Sequence, residues 1–127
     1  MNYFSEELKQ KMDIPFDVID EEMRDLVYIF NYIGLRTRWC CSGHGTKFPY
    51  IMFDEIIDES YTIVFEYIAE LLPKSNINFW VRDTGEHGYG VLVNWVWRYP
   101  IYNGNEYLDI IELLVLKMAE HFNIPRE

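Results

Sequence analysis

The residues best suited to chemistry lie together in one short segment, Cys41-Ser42-Gly43-His44-Gly45. This run offers a thiol, a hydroxyl and an imidazole, and glycine-bracketed turns can present successive backbone N–H groups to an anion. A cysteine beside an imidazole or guanidinium can become a thiolate nucleophile. A second histidine, His87, lies in another glycine-containing loop. The candidate catalytic residues are therefore Cys41, His44 and His87.

The same three residues are also the most economical set of zinc ligands in the sequence. A catalytic zinc site needs three protein ligands and a water, whereas a structural site needs four. A single Cys-x-x-His spacing without a second ligand pair does not by itself define a zinc site. The alternative is structural: Cys41 is a small buried hydrophobe and the glycines only make the turn. The sequence leaves these alternatives open and implies no particular cofactor. We expect His121 to serve the C-terminus of the last helix.

Arginine and aromatic residues are predicted to share one face of a β-sheet. Strict alternation along each strand puts Arg36, Arg38 and Cys40 on the side opposite Leu35, Thr37, Trp39 and Cys41. Arginines beside aromatic rings suit an anionic, stackable ligand such as a nucleotide. The candidate ligand-binding residues are Arg36, Arg38, Ser42, Gly43, Gly45, Tyr50, Trp80 and Arg82. An open face that is merely solvated, or a dimer interface, would explain the same pattern.

Helical and alternating hydrophobic patterns define the elements that must position these residues. Ser5 and Asp20 are expected to cap the first two helices, and Gly34 to end the second. The third helix is expected to bury Ile63, Val64, Tyr67, Ile68, Leu71 and Leu72. Helices are predicted over 5–12, 20–34, 58–73 and 105–122, and strands over 35–41, 50–54, 77–82 and 90–97.

The order of these elements predicts an α+β fold. We expect a single domain over 1–127, built as a two-layer αββαββα sandwich with the helices on one face of a four-stranded sheet. This arrangement would be a permuted ferredoxin-like fold. Trp39 precedes His44-Gly45 and Trp80 precedes His87-Gly88, so an internal duplication is one interpretation of the pattern.

Composition and charge restrict the function. The chain has a net charge of −10 and a pI of about 4.7, which argues against non-specific binding to nucleic acid. The segment 35–53 nevertheless carries three basic residues and no acidic one. No apolar run approaches the roughly 20 residues of a membrane helix, and the opening residues lack a signal-peptide pattern. Adjacent cysteines are poorly placed for a disulfide, so we expect a cytoplasmic protein. The very apolar last helix is either central to the core or covers a partner subunit, and we expect a homodimer.

Two family resemblances follow from the segment around Cys41. The run Thr37-Arg38-Trp39-Cys40-Cys41-Ser42-Gly43-His44 resembles the Thr-x-Ser-Ser-Cys-Ser-Gly-Arg fingerprint of wyosine-pathway tRNA methyltransferases, with matches at Thr37, Cys41, Ser42 and Gly43. That resemblance implies a reaction on tRNA with S-adenosylmethionine. The chain also resembles small bacterial and phage proteins with a Thr-x-x-Cys-x-Gly-His loop followed by Pro-Tyr-Ile-x-Phe, here Pro49 to Phe53. It implies a bacterial or phage origin.

Three functional hypotheses come from the sequence. The leading one is a small domain that binds an anionic, nucleotide-like molecule between the Cys-Ser-Gly-His-Gly loop and the arginine-aromatic face. The second is a thiol- or zinc-dependent enzyme, with nucleic-acid modification as one form of it. The third is an acidic phage-type protein that binds and inhibits a host protein through acidic helices, with Asp54, Glu55, Asp58 and Glu59 as candidate contacts.

Overall fold

The computed structural model describes residues 3–41, 49–55, 60–83, 91–98 and 106–126 of the 127-residue chain. Its helices and strands follow the predicted order, with boundaries that differ by a few residues. The helices are α1 (Glu6–Gln10), α2 (Arg24–Tyr32), α3 (Ser60–Leu71) and α4 (Glu106–His121). The strands are β1 (Thr37–Cys41), β2 (Tyr50–Glu55), β3 (Asn76–Asp83) and β4 (Val91–Arg98). Two 3-10 helices, Phe16–Val18 and Glu21–Met23, precede α2.

The described strands form one antiparallel sheet in the order β1-β2-β4-β3. The α+β class is therefore confirmed. The finer description, a permuted ferredoxin-like sandwich, is not shown. Helices α2 and α4 pack on each other, and the segment before α2 adds Phe4 and Phe16 to the same core. None of the helices within the described ranges is both long and apolar enough to cross a bilayer.

The end of α2 is closed by a Schellman motif. Gly34 has a φ of +96°, the left-handed conformation that glycine adopts without steric cost. The Leu35 amide donates to the Phe30 carbonyl at 2.8 Å, and the Gly34 amide donates to the Asn31 carbonyl at 3.2 Å. Leu35 and Phe30 are both fully buried. The chain therefore enters β1 in a defined direction, as the glycine had predicted.

A β-bulge near Arg38 changes the faces that strict alternation had predicted. Thr37 pairs with Phe53 whereas Trp39 pairs with Met52, so two steps along β1 match one step along β2. After the bulge Cys40 lies opposite the fully buried Ile51 and packs against the core. The prediction that Cys40 shares a face with the arginines is wrong, because one extra residue inverts the alternation that follows it.

Helix α3 also presents a different face to the core from the one predicted. Its buried residues are Tyr61, Val64, Phe65 and Ile68, and Leu72, just after its end, is buried as well. Ile63 was expected in the core but is 62% exposed, and Tyr67 is only half-buried. The error arises because α3 has apolar side chains on more than one side, so that periodicity alone does not fix its rotation.

Phe53 of β2 connects the helices to the sheet. Its ring meets that of Phe30 on α2 at 4.8 Å and that of Phe65 on α3 at 5.3 Å, in both cases edge-on. Edge-to-face pairs at these centroid distances add to the stabilisation from burial. Helix α4 contributes Ile111, Leu114, Val115 and Met118 to the same core.

A buried ion pair holds the N-terminal segment against α2. The Lys9 ammonium lies 2.8 Å from the Asp25 carboxylate, and the two side chains are 1% and 3% exposed. The same carboxylate accepts hydrogen bonds from the backbone amides of Tyr3 at 2.8 Å and Phe4 at 3.2 Å. Ser5 directly follows Phe4, and its hydroxyl caps α1 by accepting a hydrogen bond from the Leu8 amide, as predicted.

Candidate functional site

The cleft that contains the predicted arginines lies beside β1, at one edge of the sheet. It has a volume of about 420 Å³, which is within the range of small-molecule sites. One wall is the segment 13–19, and the other is formed by α2 and β1. We call it the β1 cleft. Its lining residues are Asp13, Ile14, Pro15, Val18, Ile19, Val27, Asn31, Arg36, Thr37, Arg38 and Cys40.

The wall made by 13–19 is held in place by a series of backbone hydrogen bonds. The Phe16 amide donates to the Ile14 carbonyl at 2.8 Å, and the Ile19 amide donates to the Phe16 carbonyl at 3.0 Å. Arg24 Nε donates to the Ile19 carbonyl at 3.0 Å, which attaches this wall to the start of α2. Phe16 is buried in the core, and its side chain therefore also anchors the segment to the rest of the protein. The result is a formed wall rather than a free loop.

Asn31 and Thr37 join α2 to β1 at the opposite wall. Asn31 Nδ2 donates to the Thr37 hydroxyl at 2.9 Å and to the Val27 carbonyl at 2.8 Å. The Thr37 amide donates to Asn31 Oδ1 at 3.4 Å. Arg36 and Arg38 flank Thr37 in the chain, and both are exposed. Fixing Thr37 therefore fixes the backbone from which both arginines project.

Cys40 lies in the cleft wall but is unsuited to nucleophilic chemistry. Burial raises the pKa of its thiol to about 12, and the negative charges of Asp20 and then of a Cys41 thiolate act in the same direction. A thiol with such a pKa is almost entirely protonated near neutral pH, and the thiolate is the reactive form. Asp20 precedes the second 3-10 helix without making the side-chain cap that was predicted for it.

Cys41 and Tyr50 face each other at the end of the first strand pair, where β1 ends and β2 begins. They are direct partners in the register, and Tyr50 is paired on its other side with Arg98. Burial is the largest cause of a raised Tyr50 pKa, followed by the charges of Cys41, Cys40 and Asp20. The phenol therefore stays protonated at neutral pH and can donate a hydrogen bond. Tyr50 does not line the β1 cleft.

The predicted site residues fall into four groups. Arg36 and Arg38 meet in the β1 cleft, and Cys41 and Tyr50 lie at the strand ends. Trp80 and Arg82 belong to β3, which is separated from β1 by two strands, about 14 Å at the usual strand spacing. Ser42, Gly43, His44, Gly45 and His87 lie outside the described residues, so the catalytic trio and the anion-binding loop stay predictions.

Several residues of the β1 cleft were not predicted from the sequence. Asp13, Pro15 and Val18 belong to a segment with no helical or strand period, and they line the cleft together with residues of β1 that follow much later in the chain. The only signal available was the Ile14-Pro15 break after the first helix. Among the residues that the structure describes, no group of three His, Cys, Asp or Glu side chains could hold a metal ion.

Fold and cleft together define an α+β protein with an arginine-bordered cleft at one edge of the described sheet. A family model described as YoqC prophage protein matches residues 7–124. This match spans nearly the whole chain, so the chain belongs to the YoqC prophage protein family. No curated protein and no solved structure matches it. The predicted likeness to small phage or bacterial proteins is thus confirmed, and the likeness to tRNA methyltransferases stays a prediction.

Proposed function

We propose that this prophage-family protein binds an anionic, nucleotide-like small molecule in the β1 cleft. The observation that carries the proposal is the meeting of Arg36 and Arg38 at a cleft of about 420 Å³ with a largely apolar opposite wall. Guanidinium groups recognise phosphate and carboxylate through paired N–H donors. An apolar wall beside such donors is the usual composition of a small-molecule site.

The two walls suit different parts of such a ligand. Pro15, Val18 and Ile19 offer apolar surface for a planar ring, and Val18 is 77% exposed. Asp13 also lines the cleft, and its carboxylate would repel a ligand that is negative throughout. It would instead accept hydrogen bonds from hydroxyl or amino groups. A nucleotide combines a ring, hydroxyl groups and a charged end, which is the combination this lining favours.

The proposal is tested with a fluorescent nucleotide, N-methylanthraniloyl-ATP, as the probe. We expect saturable binding, and we expect the Arg36→Ala/Arg38→Ala variant to bind at least about tenfold more weakly, since charge-assisted hydrogen bonds contribute about 1.5–3 kcal/mol each. The matched control is Lys74→Ala/Lys117→Ala, which also removes two exposed positive charges, outside the cleft. Circular dichroism melting curves check that each variant is folded.

The comparison of the two variants decides between specific and non-specific attraction. An equal loss of affinity in both would show that only the net charge matters, and would contradict a site at the β1 cleft. Unchanged affinity in the arginine variant would contradict it too. Competition by inorganic phosphate separates recognition of the charged end from recognition of the ring.

The enzyme hypothesis depends on residues in and beside the two loops that the sequence predicts. Cys41, His44 and His87 would carry either a thiol or a zinc mechanism, and Cys41 lies at the end of β1 where it enters the first loop. Native mass spectrometry of gently purified protein tests the zinc version, because one bound zinc adds a defined mass to each chain. The same spectrum reports whether the chain is the homodimer that we also propose. A Cys41→Ala protein that keeps full activity in any assay would exclude the thiol version.

A further inference from the structure

The outward side of α3 carries an apolar and acidic stripe that neither the core nor the β1 cleft uses. Ile63, Glu66, Tyr67 and Glu70 follow each other at i, i+3, i+4 and i+7, the spacing of one helix face. Glu66 and Glu70 are exposed, and Ile63 is 62% exposed. This stripe lies opposite the side of α3 that packs into the core.

The end of α4 completes a groove along this stripe. The His121 ring stacks on that of Tyr67, with centroids 3.9 Å apart and planes inclined by 15°. Phe122 meets Tyr67 edge-on at 5.6 Å, and the Tyr67 hydroxyl donates to the Lys117 carbonyl at 3.2 Å. The resulting groove, which we call the α3–α4 groove, has a volume of about 470 Å³. Its aromatic wall is held by three independent contacts.

The charges around the α3–α4 groove are mostly negative. Glu66 and Glu70 are one turn apart, a like-charge spacing that destabilises a helix by a few tenths of a kcal/mol. No basic residue lies between Ser60 and Leu71 to offset this repulsion. Burial raises the pKa of Tyr67, and the negative charge of Glu120, the residue before His121, raises it further. Lys117 precedes His121 by one turn but does not line the groove.

We propose that the α3–α4 groove docks a basic, amphipathic segment of a partner protein. An apolar side chain of that segment would pack on Ile63 and the Tyr67–His121 stack, and its lysines or arginines would meet Glu66 and Glu70. A cation placed between these two carboxylates removes their mutual repulsion, so the groove gains most from a positively charged partner. This inference is independent of ligand binding at the β1 cleft.

Charge disfavours the other occupants of such a groove. A second copy packed symmetrically would place the same glutamates against each other, since a twofold interface brings identical patches together. A nucleic acid would bring phosphates to the same carboxylates, which is repulsive. A basic protein segment is the occupant whose apolar and charged groups both match the groove.

The test measures binding of a fluorescein-labelled amphipathic helical peptide made of leucine and lysine, followed by fluorescence anisotropy at low and moderate salt. We expect Glu66→Lys/Glu70→Lys to weaken binding about tenfold or more, because charge reversal turns two attractions into repulsions. We expect Ile63→Ser, which leaves the charge unchanged, to weaken it about fivefold through lost apolar contact. The control is Glu7→Lys/Glu112→Lys, the same charge change at exposed positions outside the groove.

Each remaining outcome overturns the proposal. Failure of the wild-type protein to bind the peptide at low salt would do so directly. An equal loss in both double variants, with no effect of Ile63→Ser, would reduce the binding to non-specific attraction. Sedimentation analysis tests whether a second copy of the chain occupies the groove. If the protein is a dimer and Ile63→Ser dissociates it, the groove is a dimer interface. Melting curves confirm that the variants remain folded.

Discussion

The Asn31 side-chain amide donates to the Thr37 hydroxyl at 2.9 Å, and the Thr37 backbone amide returns a hydrogen bond to Asn31 Oδ1 at 3.4 Å. This reciprocal pair spans the turn between α2 and β1. Thr37 lies directly between the two arginines of the β1 cleft in the chain, so the pair connects the packing of the helix to the geometry of the candidate site.

Removing the hydroxyl from this pair should reduce both stability and ligand binding. Thr37→Val keeps the shape of the side chain but leaves one Asn31 N–H without its acceptor, at a cost of about 1–2 kcal/mol in the free energy of unfolding. Urea denaturation measures this loss. Thr62→Val on the exposed side of α3 is the control, with an expected change within about 0.5 kcal/mol. A Thr37 variant as stable as this control would show that the pair is not needed.

The buried Lys9–Asp25 pair should be far more sensitive to loss of one partner than of both. Asp25→Asn leaves the Lys9 ammonium buried without an opposite charge, which typically costs about 3–5 kcal/mol. Chemical denaturation should show part of that stability restored in Lys9→Met/Asp25→Asn, because the double variant has no uncompensated charge.

The matched control for this pair is Glu6→Gln. The Glu6 carboxylate lies 3.9 Å from the same ammonium but is 61% exposed, so its removal should change stability by less than about 1 kcal/mol. If the double variant were no more stable than Asp25→Asn alone, the loss would come from the hydrogen bonds to Tyr3 and Phe4 instead.

The Cys40 thiol should make stability fall at alkaline pH. Its pKa is about 12 in the folded chain, against about 8.5 for an unfolded cysteine. The unfolded state therefore loses its proton first, and the thiol's contribution, present in full below about pH 8.5, is lost as pH rises towards 12. The slope from this one group is at most about 1.4 kcal/mol per pH unit.

Cys40→Ala isolates this contribution from those of the tyrosines. The free energy of unfolding of wild type minus that of the variant should shrink between about pH 8.5 and pH 10.5, as followed by urea denaturation at each pH. A difference that stays constant over this range would mean that Cys40 ionises as readily in the folded chain as in the unfolded one.

Gly34 should resist substitution for a conformational reason alone. A Cβ at this position would meet no atom within 4 Å, so Gly34→Ala creates no clash with the rest of the protein. Its φ of +96° still disfavours any residue with a Cβ, at a cost of about 1–2 kcal/mol. Gly34→Asn should lose less than Gly34→Ala in thermal denaturation, because asparagine tolerates the left-handed region better. Equal losses would point to a packing effect instead.

The helices and strands were predictable because their signals are local. Ser5 and Gly34 mark helix ends through hydrogen bonds and backbone conformations that involve only a few neighbouring residues. In the second hairpin, Ile77 pairs with Trp97 and Phe79 with Trp95, as the alternating pattern implied. Asp20 shows the limit of such signals, because it precedes a helix without capping it.

The candidate sites were only half predictable. Arg36 and Arg38 were identified as a pair from the sequence, but the wall that faces them comes from 13–19, which has no periodic pattern. The bulge after Thr37 and the rotation of α3 each depend on how one element packs against another. The position of the bulge and the rotation of α3 are set by the surface that two packed elements bury together, and the sequence of one element describes only its own part of that surface.

The sequence by itself determined the α+β class, the order of the elements, the acidic charge and the basic character of the segment around β1, since all of these follow from local periodicity and composition. Only the tertiary structure decided that Cys40 turns to the core, that Ile63 turns to solvent, and that the arginines border a cleft rather than an open sheet face. The physical reason is that a one-residue bulge or a partial rotation of a helix exchanges buried and exposed positions without changing any local pattern.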